Sequence, residues 1–170
     1  MFDKVSSDKL AGMEALARRV RNELAAAGLP VPAPGLHLVL AGGAEVMVDD
    51  GADTAGGVFV GWSASPRLGE CTSRALRLRL LDDPLLRHSS EIAAAMRQAM
   101  AAILTSAGFA VEHANDEYRP HQLRVLDGPA QGVPPIWSLR DEELTMPGWQ
   151  TTNPGESASN DSTSPSTGQT

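Results

Sequence analysis

Residues 89–113, SSEIAAAMRQAMAAILTSAGFAVEH, decide how this chain folds. Ser89 and Ser90 can accept hydrogen bonds from the free amides of a helix start. Ile92, Met96, Met100 and Ile103 then recur at helical spacing and form one apolar stripe. Gly108 can take the left-handed conformation that closes a helix. Beyond it Phe109, Val111 and His113 alternate with Ala110 and Glu112, which is the period of a strand. A helix that turns directly into a strand predicts a packed core at this point.

Upstream, a second helix is expected over 8–27. Ser7 or Asp8 can cap it, and Leu10, Met13, Leu16, Val20 and Leu24 form its stripe. Gly28 stops it and Pro30 prevents its continuation. Three prolines make 30–35 an extended connector. A hairpin comes next: Leu36, Leu38 and Leu40 alternate on one arm, Gly42-Gly43 supplies the turn, and Val46 and Val48 alternate on the return arm. Val58, Val60 and Trp62 predict a third strand. Leu76, Leu78 and Leu80 alternate with Arg77 and Arg79, yet leucine and arginine are good helix formers. The pattern predicts a short helix or irregular segment ending before Pro84.

Downstream, Asn115-Asp116 begins a turn and 121–126 reads as the last strand. The expected fold is an α+β two-layer sandwich: a mainly antiparallel sheet of four to five strands with two main helices on one face. One domain covers 1–128. An arm holding Pro129, Pro134, Pro135, Ile136, Trp137 and Trp149 covers 129–149, packed on the domain or free. From 150 to 170 the composition falls to Ser, Thr, Asn, Gly, Pro and Gln. Burial there cannot offset backbone ordering, which costs roughly 1–2 kcal/mol per residue, so a disordered tail is expected.

The 170 residues carry a formal net charge of −7. That balance disfavours a phosphate backbone unless basic residues cluster locally. The candidates are Arg18, Arg19 and Arg21, and then Arg74, Arg77 and Arg79. A single cysteine, Cys71, excludes an intrachain disulfide and a multi-thiolate metal site, and suits a reducing compartment. Charged residues at Asp3, Lys4, Asp8 and Lys9 interrupt any leader-like apolar run, and no run approaches the ~20 apolar residues of a membrane span. A cytoplasmic protein without membrane or nucleic-acid partners is the expectation. No phosphate cradle or other cofactor motif is present, because Gly42-Gly43 and Gly56-Gly57 lack the following lysine and helix.

Chemistry has few places to reside. His113, Asp116, Glu117 and His121 could converge on a divalent metal across a turn, although the spacing matches no established ligand pattern. Cys71 could act as a nucleophile if a histidine such as His88 approached it. A small metal- or thiol-dependent enzyme would use these residues. An acidic immunity- or antitoxin-type protein is another reading, since acidity steers binding to a basic toxin. The leading expectation is a non-catalytic protein-interaction or assembly module. Its interface candidates are a strand edge at Val58, Val60 and Trp62, with Ile136 and Trp137 on the arm.

The order of the 10–24 helix, the Gly42-Gly43 hairpin and the 92–113 unit resembles that of small phage tail-terminator and head–tail connector proteins. The resemblance covers most of the body and includes no specific motif. It implies a ring-forming structural role, with either self-association or a protein partner.

Overall fold

Ser6 opens the first helix, α1 (Ser7–Ala26). Its hydroxyl accepts from the Lys9 amide at 3.4 Å, so the cap lies just before the residues the sequence suggests. Ala17, Val20 and Leu24 are fully buried along the expected stripe, with Met13 and Leu16 packed beside them. The computed structural model describes residues 4–33, 41–51, 56–114, 119 and 121–138. The strand expected at 36–40 and the tail expected at 150–170 lie outside these residues. The chain divides into two units, Met1–Trp137 and Ser138–Thr170, and all the elements named below belong to the first.

β1 (Gly43–Asp49) pairs antiparallel with β2 (Gly57–Ser63) over seven residue pairs. This corrects the turn expected at Gly42-Gly43. Gly43 opens β1 opposite Ser63, and the chain reverses between the end of β1 and the start of β2. The need for glycine there comes from close approach: φ is +142°, and a Cβ would stand 2.3 Å from the Pro30 carbonyl oxygen. That same oxygen accepts from the Ala44 amide at 2.8 Å.

Two helices come next, α2 (Pro66–Arg77) and α3 (Pro84–Ser106), each with proline in its first turn, where no amide is needed. Ser65 caps α2 through the Leu68 amide at 3.4 Å. Asp83 caps α3 through the Leu85 amide at 2.9 Å. The long helix therefore starts earlier than the serine signal indicates, and Ser89 and Ser90 lie inside it. Asp83-Pro84 is the stronger start signal, because it supplies both a capping carboxylate and a preset φ. The 74–81 segment is the last turn of α2 and the loop beyond it.

α3 passes through Gly108 at φ +85° into β3 (Ala110–His113), which pairs antiparallel with β4 (Leu123–Asp127). The sheet order is β1-β2-β4-β3, antiparallel throughout. Register puts Val46, Val60, Leu123 and His113 in one cross-strand row, and Val48, Val58, Val125 and Val111 in the next. α1 and α3 cover this face, where Leu24, Met100 and Leu104 join Val58, Val60 and Leu123 in one core. The α+β two-layer architecture thus holds four strands and two covering helices, with α2 packed on α3.

The other face carries the row Met47, Phe59, Arg124 and Glu112. Phe59 is only 3% exposed there. The Arg119 guanidinium lies 4.1 Å from its ring centroid and also pairs with Asp49. That hydrogen bond, with a second from the Gly51 amide at 2.9 Å, holds the Asp49 carboxyl below its usual range. Burial acts in the opposite direction on Glu45, raising its carboxyl above the ordinary value.

Candidate docking surface at the α2 turn

α2 uses little of its surface for packing. Ala75 is its one buried side chain among the described residues, and it faces α3 beside the half-buried Leu68 and Thr72. The rest of the helix meets solvent. At its C-terminal end Leu76 is 52% exposed, Leu78 58%, Leu80 49% and Leu81 72%. Four exposed leucines within six residues are a candidate for the kind of apolar patch that marks an interaction site.

Basic residues lie among these leucines in sequence: Arg74, Arg77 and Arg79 are exposed, and none makes an ion pair among the described residues. A groove of about 650 Å³ runs along α2, lined by Ser63, Ser65, Arg67, Glu70, Ser73 and Arg77. Three arginines thus flank the leucines on a chain whose net charge is −7, with the exposed Asp82 directly after Leu81.

The loop that presents the leucines is fixed by hydrogen bonds. The Arg79 amide donates to the Leu76 carbonyl at 3.0 Å, and the Leu80 amide to the Ala75 carbonyl at 3.0 Å. This is the Schellman ending, which needs a left-handed residue at its centre. α1 and α3 end in the same way, on Gly28 at φ +83° and Gly108 at φ +85°. α2 puts Arg79 there, at φ +55°. A side chain in that conformation costs roughly 1–2 kcal/mol. Among the described residues the Arg79 side chain makes no hydrogen bond or ion pair that offsets this cost within the fold.

The fold distributes the residues that the sequence singles out over several elements. Val58 and Val60 are buried, and β2 is flanked by β1 on one side and β4 on the other. They therefore offer no strand edge, which corrects that interface expectation; Trp62 is half-buried at the end of the same strand. Among the described residues the edges belong to β1 and β3. β1 is blunted at its middle and just past its end: the Arg21 guanidinium donates to the Val46 carbonyl at 2.9 Å and the Val5 amide to the Asp50 carbonyl at 3.0 Å.

Ile136 and Trp137 are 83% and 53% exposed. The Trp137 indole donates to the Glu23 carboxylate at 2.9 Å, and the Arg19 guanidinium donates to the Pro129 carbonyl. Residues 129–137 of the arm thereby lie against the C-terminal ends of α1 and α3.

Cys71 is exposed on α2 and His88 is exposed on α3. His113 is exposed at the end of β3, and the exposed His121 has its Nδ1 3.3 Å from an Arg97 nitrogen. Asp116 and Glu117 lie outside the described residues. Among the described residues no three His, Cys, Asp or Glu side chains are arranged to hold a metal ion. No helix among them is long and apolar enough to cross a membrane.

No family model matches this chain, and comparison with curated proteins and with solved structures returns no match. The resemblance in element order to phage tail-terminator and connector proteins gains no support from these comparisons.

Sequence reasoning registers the leucines at 76–81 as a secondary-structure ambiguity and misses them as a surface. One signal could have found them. Residues 74–81 hold four leucines and three arginines without an acid, between a helix start at Ser65-Pro66 and another at Asp83-Pro84. Such a short amphipathic helix has more apolar surface than a single packing contact can cover.

Proposed function

We propose that this protein is a non-catalytic protein-interaction module that docks a partner on the leucine–arginine surface of the α2 turn. The observation that supports this most is the set of four leucines, each about half exposed or more, on a hydrogen-bonded helix ending. Leaving such a surface in water is unfavourable by roughly 25 cal/mol per Å², so its natural state is a covered one. Leucine side chains recognise protein surfaces, whereas a phosphate backbone would call for arginine without them. An intracellular setting fits the single exposed thiol of Cys71. Ring assembly is one form that such docking can take.

A photo-crosslinking amino acid placed at position 78 or 81 of the full chain, in its native cells, tests this reading. The expected result is a discrete adduct from both positions and none from position 14, exposed on α1. No adduct, or the same adducts from all three positions, overturns it.

A further inference from the structure

Resting on that reading, we propose that the occupant of the α2 turn is the acidic segment 141–149 of a second copy of this chain. The segment reads Asp141-Glu142-Glu143-Leu144-Thr145-Met146-Pro147-Gly148-Trp149. Its three consecutive acids precede three large apolar residues, Leu144, Met146 and Trp149. The α2 turn offers the complement, with Arg74, Arg77 and Arg79 beside Leu76, Leu78, Leu80 and Leu81. Opposite charges over apolar contacts give both attraction and register. No other stretch of the chain combines three adjacent acids with that much apolar surface.

We assign the occupant to a second copy because the link from Trp137 is too short to lay all three acids along the turn of the same chain. Trp137 lines a groove with Ile103 and Ser106, at the C-terminal end of α3. The α2 turn leads into Pro84, at the opposite end of α3. At 1.5 Å per residue, Pro84 and Ile103 stand roughly 30 Å apart along the helix. Glu143 is six residues beyond Trp137, and a fully extended chain of that length spans at most about 22 Å. In a second copy there is no such limit. Reciprocal exchange closes a dimer, and head-to-tail exchange builds a ring or a filament.

Charge exchange in the full-length protein, read by sedimentation velocity over a wide concentration range, tests the assignment. One variant reverses the tail (Asp141→Lys, Glu142→Lys, Glu143→Lys). A second reverses the turn (Arg74→Glu, Arg77→Glu, Arg79→Glu), and a third combines the two. Every altered arginine is exposed, and circular dichroism checks that each variant folds. The expected result is association by the wild type that either reversal weakens roughly tenfold or more, that the combination restores, and that salt weakens.

A labelled peptide of residues 138–150 should also bind the tail-reversed chain, whose own segment cannot compete. It should not bind a chain carrying Leu78→Gln and Leu81→Gln. A wild type that stays monomeric, together with a peptide that does not bind, overturns the proposal. So does association that the leucine substitutions abolish and tail reversal leaves unchanged. In that second case the docking surface stands and only its occupant is wrong.

Discussion

Replacing Arg79 with glycine should make this protein more stable and less able to associate. At φ +55° the left-handed backbone of the arginine costs roughly 1–2 kcal/mol. Glycine removes that cost but loses more freedom on folding, about 0.4–1 kcal/mol. The difference spans about 0–1.6 kcal/mol, and its middle, about 0.8 kcal/mol, corresponds to about 2–3 °C in melting temperature. Arg79→Ala serves as the control, because it keeps the backbone cost and removes only the side chain. Its melting temperature should stay near that of the wild type. Both variants should weaken self-association, since both remove one of the three arginines placed against the acidic segment. Differential scanning calorimetry reads the first effect and sedimentation the second. If Arg79→Gly is no more stable than Arg79→Ala, the α2 ending is not strained and the reasoning is wrong. If both variants associate as the wild type does, the arginine was not placed there for docking.

Three further outcomes test the fold. Leu104→Ala, at a fully buried site between α3 and the sheet, should cost about 2–5 kcal/mol in chemical denaturation, whereas Leu78→Ala and Leu81→Ala should each stay within about 0.5 kcal/mol. Gly43→Ala should cost at least about 1–3 kcal/mol, because its Cβ would meet the Pro30 carbonyl oxygen at 2.3 Å; a neutral result would mean that the connector does not lie against β1. Asp49 has its folded pKa depressed, chiefly by Arg119, so its stabilisation is present above the ordinary carboxylate range, near pH 4, and is lost as pH falls through the lower folded value. Asp49→Asn should therefore flatten the decline in stability below about pH 4, measured as melting temperature against pH.

The parts of the fold legible in sequence are those whose causes are local. The stripe from Met13 to Leu24, the glycine that ends α1 and the Gly108 passage into β3 all depend on neighbours a few residues apart. The illegible parts depend on distant chain. On the outer face the buried Phe59 lies under the guanidinium of Arg119, which comes from beyond α3 and β3 in the sequence. No alternation within β2 shows that. The same is true of Val58 and Val60. Their strand pattern is clear, but an edge strand and a central strand read alike until β4 is known to pair on the second side. The start of α3 is obscure for a different reason. Proline ends a helix that precedes it, but an aspartate before it makes the pair a beginning.

The candidate site is hidden for a related reason. Alternating leucine and arginine at 76–80 fits a strand with one buried face as well as a helix end with none. Which side meets water depends on whether another element covers it. In this fold α2 meets α3 through a narrow face around Ala75 and leaves the leucines outside.

Amide hydrogen exchange of the full-length protein, compared at low and high concentration, puts docking between copies at the α2 turn to its most direct test. Slower exchange across residues 76–83 as concentration rises, with the core strands β2 and β4 unchanged, is the outcome this account predicts. Exchange at 76–83 that stays fast at every concentration, while protection rises at the β3 edge or nowhere, contradicts it.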